Sequence, residues 1–305
     1  MSKTPVICAQ HLVKNFGNFR AVDDISFEVM PGSICGFLGP NGSGKSTTLR
    51  MMTDLIRPDS GEILWFGESL KSHRSSIMNR IGCIIEKPDF YTYLSALENL
   101  HLLGRASGCR KTKADYDELL QLVGLKGREK DAVKAYSHGM KQRLGLAQAL
   151  LHEPEVVILD EPNTGLDPQG IIDLREVILQ LNREKGITFL FSSHILNEVQ
   201  EICTDLIVIH KGKMVVQGPT TELLSQQKLR VSIELPEKPD TAPSWLGTTF
   251  FTERHAVLDG RYLDLQMSKE EIPLLLENLQ KVGQSFYRID YRNQLEKYFL
   301  EITNQ

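Results

Sequence analysis

A glycine-rich segment near residue 40 has the residue types and spacing of a phosphate-binding loop. It follows the pattern GxxxxGKS/T and runs Gly39-Pro40-Asn41-Gly42-Ser43-Gly44-Lys45-Ser46. Glycine lets the backbone curl closely around an anion, so that successive N–H groups point at phosphate oxygens. The lysine supplies a positive charge for the β- and γ-phosphates, and the serine hydroxyl supplies a ligand for Mg²⁺. The predicted binding residues are Gly39, Asn41, Gly42, Ser43, Gly44, Lys45, Ser46 and Thr47.

A pair of carboxylates follows an apolar run farther along the chain. Val156–Leu159 is entirely apolar and predicts a strand that is buried on both faces. Asp160 and Glu161 come directly after it, where an aspartate reaches Mg²⁺ and a glutamate polarises an attacking water molecule. Alone, the pair is equally typical of a helix N-cap or of a surface position after a strand. Beside a phosphate loop, it predicts Asp160 as a metal ligand and Glu161 as a catalytic residue.

The secondary structure that must position these residues is an alternation of strands and helices. A strand over 33–38 and a helix over 45–54 flank the phosphate loop, so that a helix N-terminus faces the anion. Such alternation predicts an α/β core with parallel strands. The other strands predicted in this part of the chain are 5–11, 25–30, 81–85, 156–159, 187–191, 205–209 and 213–217, and the other helices are 169–184, 195–202 and 219–225.

Two departures from this alternation predict the domain organisation. Consecutive helical patterns over 95–106, 112–122 and 138–151 predict a helical subdomain of about residues 87–152 within the core. The composition then changes near 225–227, and three prolines lie between residues 235 and 247. We therefore predict a first domain over 1–227 and a small α+β domain over 228–305. The strands predicted in the second domain are 229–234 and 262–267, and the helices are 269–282 and 292–302.

Composition excludes several classes of function. The chain carries 35 Lys and Arg against 39 Asp and Glu, a net charge of −4, so it lacks the basic footprint that nucleic-acid binding requires. Its apolar runs are only a few residues long, whereas a membrane span needs about 20. The five cysteines form no CxxC pair and predict neither a zinc site nor a disulfide framework. The short polar start resembles no signal sequence, and we expect a protein of the cytoplasm.

Three further segments narrow the choice among phosphate-loop proteins. Tyr136-Ser137-His138-Gly139-Met140-Lys141-Gln142-Arg143 resembles the LSGGQ-type signature of ATP-binding cassette (ABC) ATPases. Gly165-Leu166-Asp167-Pro168 resembles the D-loop of that family, and Ser192-Ser193-His194 resembles its switch histidine. All the motifs occur in the order of the family, and the resemblance covers about residues 5–225. A kinase or GTPase built on the same phosphate loop would lack the signature.

The resemblance implies a fold and a set of roles. The fold would be a P-loop NTPase core of the RecA-like α/β type, with an antiparallel β subdomain and a helical subdomain, followed by the small C-terminal α+β appendage. Two ATP molecules, with Mg²⁺, would be sandwiched in a head-to-tail dimer. Ser137 and Gly139 would bind the γ-phosphate held by the other subunit, and Asp167 would lie at the interface. His194 would contact the γ-phosphate of its own subunit, and Phe16 would stack on adenine.

Two of these roles have ordinary alternatives. A lone histidine such as His194 is more often structural, and Phe16 could be a core aromatic residue. With Lys45, Asp160 and Glu161 also present, however, the sequence predicts an active ATPase.

The sequence departs from the family at three places. Glu86 stands where most members carry the glutamine of the Q-loop; a carboxylate there can still serve the metal and the attacking water. A subset of bacterial exporters that confer resistance to bacitracin-like and lantibiotic peptides also has glutamate at this point, and the surrounding residues resemble that subset. His138 replaces the first glycine of the signature, and Asn163-Thr164 reverses the more common order.

The resemblance implies the motor subunit of an exporter. Such a subunit would lie on the cytoplasmic face of the membrane, pair with a second ATPase subunit, here most simply its own copy, and drive a separate permease. The aromatic stretch Phe90–Leu94 would receive the permease, unless its side chains belong to the subdomain core. The alternative is a soluble ABC ATPase that acts on another partner such as the ribosome. No nucleic-acid partner is expected.

Overall fold

The computed structural model describes residues 4–225, 229–239 and 241–292. It divides into two compact units, Met1–Pro219 and Thr220–Gln305. The predicted domain boundary between residues 227 and 228 falls in the short segment 226–228, outside the described residues. The predicted helix over 292–302 also lies outside them, apart from Arg292, which ends a strand.

The first unit contains two sheets and seven helices among its described residues. Its strands are β1 (Ile7–Phe16), β2 (Phe19–Val29), β3 (Ile34–Leu38), β4 (Ser60–Trp65), β5 (Glu68–Ser69), β6 (Ile81–Ile84), β7 (Val156–Leu159), β8 (Thr188–Ser193), β9 (Asp205–His210) and β10 (Lys213–Pro219). Its helices are α1 (Lys45–Met52), α2 (Arg74–Met78), α3 (Ala96–Ala106), α4 (Lys113–Leu122), α5 (His138–Ala149), α6 (Pro168–Lys185) and α7 (Leu196–Gln200).

The larger sheet has six strands in the order β10-β9-β3-β8-β7-β6. All neighbouring strands are parallel except β10, which is antiparallel to β9. The central strands β3, β7 and β8 are buried at every position, which suits the continuous apolar run of β7 and the apolar centre of β8. The carboxyl ends of parallel strands meet at one edge of the sheet, where ligands of open α/β folds bind. The phosphate loop, Asp160 and His194 all follow strands at this edge.

The smaller sheet is antiparallel, in the order β2-β1-β4-β5, as the resemblance implied. The sequence patterns predicted this sheet poorly: the first strand was expected over 5–11, and no strand was predicted over Ser60–Trp65. The pairing of β1 with β2 shifts register between Ala9 and Leu12, which breaks the alternation that a pattern search needs. β4 depends on its pairing with β1, a contact between distant parts of the sequence.

The two sheets share one hydrophobic core, and the helix of the phosphate loop lies in it. Leu49 and Met52 of α1 are fully buried in the same cluster as Phe27, Phe37 and Trp65. The Trp65 indole N–H donates to the Met52 carbonyl oxygen at 3.1 Å, so the C-terminal end of α1 is held by the antiparallel sheet. This packing gives the N-terminus of α1 a fixed direction.

Helices α3, α4 and α5 lie between β6 and β7, within the region predicted to be helical. The first two begin with capping boxes, in which Ser95 exchanges hydrogen bonds with Glu98 and Thr112 does so with Asp115. Tyr116 is buried and its ring lies 4.2 Å from that of His101, which joins α4 to α3.

The second unit is a small α+β fold. It contains α8 (Thr220–Ser225), β11 (Leu229–Glu234), α9 (Thr249–Thr252), β12 (Val257–Asp259), β13 (Tyr262–Met267), α10 (Ile272–Lys281) and β14 (Arg288–Arg292). The sheet is antiparallel, in the order β12-β13-β11-β14. From β11 onwards the chain therefore follows the βαββαβ order of ferredoxin-like folds. The short strands β12 and β14 were not predicted, because both depend on pairing with a longer neighbour.

Candidate nucleotide-binding site

The phosphate loop joins β3 to α1, and its glycines are required by close contacts. Gly44 is the N-cap of α1 with φ of 103°, in the region that favours glycine, and a Cβ there would lie 2.6 Å from the Ala21 carbonyl oxygen. A Cβ on Gly39 would lie 2.5 Å from the Ile209 carbonyl oxygen. Only glycine therefore fits at either end of the loop without a shift of the backbone.

Lys45 is buried beneath this loop and bound to it. Its Nζ donates to the carbonyl oxygens of Gly39 at 2.8 Å and Pro40 at 3.2 Å, and it lies 3.3 Å from Glu161 Oε1. Burial lowers the pKa of Lys45, while the carboxylates of Glu161 and Asp160 act in the opposite direction. The ammonium group of Lys45 thus has three partners within the protein: two neutral carbonyl oxygens and one carboxylate.

Asp160 and Glu161 follow β7, and the hydroxyl of Ser192 forms hydrogen bonds with both residues. Ser192, fully buried in β8, donates from Oγ to Asp160 Oδ1 at 2.5 Å. The same Oγ accepts the backbone N–H of Glu161 at 2.9 Å. Glu161 has φ of 45°, a left-handed conformation that is costly for a residue with a Cβ and persists where its surroundings enforce it. The sequence analysis did not assign Ser192 to the site, because its contacts with Asp160 and Glu161 are made from the neighbouring strand.

The carboxylate of Glu161 is the point at which several predicted residues meet. Its Oε1 faces Lys45, and its Oε2 lies 3.3 Å from His194 Nδ1. The hydroxyl of Thr164 donates to the same Oε2 at 3.2 Å. The structure therefore brings Lys45, Glu161 and His194 together, and it adds Thr164, which the sequence did not identify as part of the site.

Glu86 lies at the end of β6 in a left-handed conformation, with φ of 69°. Its carboxylate forms an ion pair with Arg50 of α1, which sequence reasoning did not select. Arg50 follows Ser46 by four residues and so lies on the same face of α1. The ion pair directs Glu86 toward the helix face that carries the predicted metal-binding hydroxyl.

The donor set fits a magnesium ion bound together with a nucleotide. Mg²⁺ prefers hard oxygen ligands and is usually held by one or two carboxylates together with substrate phosphates. Asp160 and the hydroxyl of Ser46 supply such oxygens, and Glu86 is the further predicted ligand. Within residues 4–225, 229–239 and 241–292, no group of three or more His, Cys, Asp and Glu side chains is suited to a metal ion.

The signature and the D-loop form a second group of predicted residues. Ser137 is the N-cap of α5 and accepts the N–H of Met140 at 3.3 Å. Asp167 is the N-cap of α6 and accepts the N–H of Gly170 at 3.0 Å. The two helix N-termini are exposed at these caps, where backbone N–H groups and the helix dipole favour an anion. Gly139 lies in the first turn of α5, and a Cβ there would lie 3.5 Å from Leu166.

Phe16 lies at the tip of the β1–β2 hairpin and is 51% exposed, so the alternative of a core aromatic residue is wrong. Asp59 holds the strand residues that precede Phe16. It accepts hydrogen bonds from Lys14 Nζ at 2.9 Å and from the Asn15 backbone N–H at 2.7 Å. Those hydrogen bonds, that of Lys14 foremost, lower the pKa of Asp59. Phe19, the cross-strand partner of Phe16, is also exposed.

The aromatic stretch after Glu86 is divided between core and surface. Phe90 is buried, whereas Tyr91 and Tyr93 are exposed, with ring centroids 6.1 Å apart. The buried side chain of Asn99 holds the backbone of Tyr91 by accepting its N–H at 2.9 Å and donating to its carbonyl oxygen at 3.1 Å. The core alternative therefore holds for Phe90, whereas the tyrosines are exposed, and their contact with a permease stays a prediction.

The fold and the site together define an ATP-binding cassette, and the chain belongs to the ABC transporter family of ATP-binding proteins. The family model "ABC transporter" matches residues 22–164. YhcH of Bacillus subtilis, an uncharacterized ABC transporter ATP-binding protein, is 36% identical over 304 residues, which cover 98% of this chain and 96% of that protein. As a member of this family the chain is an ATPase, and the predicted enzyme class and fold class are confirmed.

Two further relatives place the chain within the family. BcrA of Bacillus licheniformis, a bacitracin transport ATP-binding protein, is 43% identical over 233 residues, 76% of each chain. This relative supports the predicted resemblance to the bacitracin type. Among solved structures, CbiO1 of Clostridium perfringens, part of the ABC transporter complex CbiONQ, has a TM-score of 0.65 at 26% identity and covers 72% of this chain and 90% of its own.

Within the part of the chain that the structure describes, no helix is both long enough and apolar enough to cross a membrane.

Proposed function

We propose that this chain is the ATP-hydrolysing motor subunit of a bacterial exporter, which dimerises around two ATP molecules and drives a separate permease. The observation that carries the proposal is the meeting of Lys45, Glu161 and His194 at the carboxyl edge of the parallel sheet. These three groups are the ones that phosphoryl transfer to water needs: a cation for the phosphates, a base for the water and a contact for the γ-phosphate.

Hydrolysis in this site would proceed by attack of water on the γ-phosphorus. The loop N–H groups and Lys45 hold the phosphates, and Phe16 stacks on the adenine. Glu161 orients the water and takes up its proton as the bond to the ADP oxygen breaks, which leaves ADP and phosphate. Ser46, Asp160 and Glu86 would hold Mg²⁺, which neutralises charge on the phosphoryl oxygens when bound. His194, beside Glu161 Oε2, is placed to contact the γ-phosphate.

The dimer would complete each site with groups from the second subunit. Ser137 is exposed at the N-terminus of α5, and it would bind the γ-phosphate held by the other copy together with the first amides of that helix, with Asp167 at the interface. ATP then acts as the link between the subunits, because its γ-phosphate contacts both and hydrolysis removes it. A homodimer is the simplest assembly that supplies these groups.

A membrane permease is the proposed partner, and the cytoplasmic face of the membrane is the proposed location. Tyr91 and Tyr93 give an exposed aromatic patch a few residues from Glu86, suited to a protein partner. Efflux of a peptide antibiotic or drug is proposed from BcrA, whose name states bacitracin transport. Membrane fractionation with a co-purifying permease would support this partner, whereas co-sedimentation with ribosomes instead would overturn it.

The catalytic part of the proposal is tested by Glu161→Gln. We expect phosphate release from ATP to fall by about three orders of magnitude, since a positioned base together with its electrostatic contribution is worth that much. The variant should still bind ATP and form an ATP-dependent dimer on gel filtration. A wild-type protein that releases no phosphate at high concentration, or a variant that is as active as the wild type, would contradict the assignment.

A further inference from the structure

The two unexplained departures from the signature and D-loop patterns contact each other. His138, which replaces the first glycine of the signature, lies with Nε2 3.0 Å from the carbonyl oxygen of Thr164. A carbonyl oxygen only accepts, so Nε2 carries the hydrogen and donates it. The ring also covers Gly165: a Cβ there would lie 3.2 Å from two ring atoms of His138. A glycine at position 138 would make neither contact.

The second departure, the order Asn163-Thr164, determines which residue carries the hydroxyl. Thr164 Oγ1 donates to Glu161 Oε2 at 3.2 Å, the same oxygen that lies 3.3 Å from His194. With threonine at 164, the residue whose carbonyl oxygen is held by His138 also orients the carboxylate of Glu161. The Thr164 N–H donates to the Glu161 carbonyl oxygen at 3.1 Å, which closes a tight turn between the two residues.

Further contacts join α5 to the same region. Arg143 on α5 lies 3.5 Å from Asp173 on α6, and both side chains are partly buried. The N-terminus of α5 is thus connected to the D-loop by His138 and to the following helix by Arg143. A displacement of α5 would therefore move the Thr164 backbone through His138, and the Thr164 hydroxyl would in turn move the Glu161 carboxylate.

We propose that His138 and Thr164 are positioning residues that couple the signature helix to the catalytic carboxylate of the same chain. The inference rests on the proposed function, in which the N-terminus of α5 faces the nucleotide of the other subunit while Glu161 acts on its own nucleotide. Contact of α5 with one ATP then sets the orientation of the carboxylate that hydrolyses the other. The side chain of His138 contacts neither nucleotide in this arrangement; it acts through Thr164.

Three single variants test the connection. His138→Ala removes the donor, and Thr164→Val removes the hydroxyl but keeps the shape and the backbone carbonyl. Each is expected to lower kcat by about fivefold, the effect of one lost hydrogen bond on a barrier, and to leave KM for ATP unchanged. His138→Gln retains an N–H donor and is expected to keep most of the activity. His152→Ala is the matched control, since His152 Nε2 also contacts a carbonyl oxygen, that of Ile81 at 2.9 Å, away from Glu161.

The double variant His138→Ala/Thr164→Val separates a connected pair from two independent residues. If His138 acts through Thr164, the double variant is no slower than Thr164→Val alone. If instead the two fivefold losses of kcat multiply to about 25-fold in the double variant, the residues act independently and the proposal is overturned. A raised KM in His138→Ala, or loss of the ATP-dependent dimer when His138→Ala is added to Glu161→Gln, would also overturn it, because either result would assign the His138 side chain to nucleotide binding instead of to the positioning of Glu161.

Amide hydrogen exchange tests the contact without any need for hydrolysis. His138→Ala is expected to speed exchange in residues 163–167, and His138→Gln and the His152→Ala control are not. If exchange in residues 163–167 of His138→Ala equals that of the wild type, the proposal is overturned, whatever the ATPase activity of the variant. A wild-type chain without hydrolysis would instead contradict the proposed function, and the exchange result would still decide whether His138 holds the segment.

Discussion

Glu86 stands where the resemblance places a neutral glutamine, and Arg50 pairs with the negative charge of Glu86. Arg50 is partly exposed and Glu86 largely so, and ion pairs of this kind contribute little to stability. A weak pair is easily exchanged when a stronger cation arrives. In the proposed role of Glu86 as a metal ligand, the carboxylate would therefore leave Arg50 for Mg²⁺ at small cost.

The exchange of partners at Glu86 predicts opposite effects for two variants. Glu86→Gln offers the metal a neutral oxygen, and we expect the Mg²⁺ concentration for half-maximal ATP hydrolysis to rise by about tenfold, the lower end of the cost of altering groups around a metal. Arg50→Met frees the carboxylate and should lower that concentration. In the Glu86→Gln background, Arg50→Met should have no effect. A Mg²⁺ titration of phosphate release measures all four proteins, and equal titrations would contradict the prediction.

The residues that the sequence predicted well are those whose signal is local. Gly39, Gly44 and Lys45 lie within one eight-residue motif, and the close contacts at both glycines show why a side chain would not fit there. Ser192 binds Asp160 from the neighbouring strand β8. Thr164 binds the carboxylate of Glu161 across a turn. Nothing in their neighbouring sequence states that contact, so only the folded chain reveals it.

Among the elements, the β1–β2 hairpin carries Phe16, and hydrogen bonds with the segment just before β4 hold its first strand. Asp59 precedes β4 and ties the end of β1 through Lys14 and Asn15. Asp59→Ala is expected to raise KM for ATP by about threefold to tenfold and to leave kcat unchanged, because base stacking is worth about 1–3 kcal/mol and is only partly lost. Glu62→Ala, an exposed residue on the same sheet, is the control. Equal KM values for the two variants would argue against this role of Asp59.

The pH dependence of these hydrogen bonds follows from the direction of the pKa shift. Hydrogen bonds from Lys14 and then Asn15 lower the pKa of Asp59, so its contribution is complete above the ordinary pKa of an aspartate and is lost as pH falls through the lowered value. The difference in KM between Asp59→Ala and wild type is therefore expected to stay constant from mildly acidic to alkaline pH. A difference that vanished near neutral pH would point to another titrating group.

The same elements show where sequence patterns fail. The parallel core was predicted from the alternation of strands and helices, which includes apolar runs such as Val156–Leu159. β4 and β14 have mixed sequences and exist because they pair with β1 and β11. Their stability is a property of the sheet, which a window of a few residues does not contain.

At the scale of the whole molecule, every predicted site residue lies in the first unit, Met1–Pro219. A fragment that ends at Pro219 is therefore expected to bind ATP with an affinity within about threefold of the full chain, as measured by nucleotide fluorescence; differences below about 1 kcal/mol are ordinary for remote changes. A fragment that folds but fails to bind ATP would show that the ferredoxin-like unit contributes to the site.

The second unit has its own buried core, which includes Val231, Phe251 and Leu279. A role for it in contact with a second copy or with the permease is a hypothesis, because folds of this type serve many functions. Full dimerisation and transport by the fragment that ends at Pro219 would remove that role.

The internal partners of Lys45 set a ceiling on how tightly the cassette can hold a nucleotide. Because the ammonium is already bound by Gly39, Pro40 and Glu161, a phosphate gains only the difference between its own attraction and theirs. In the proposed cycle, Lys45 exchanges these partners for the phosphates of ATP and regains them when ADP leaves, which lowers the cost of releasing the product.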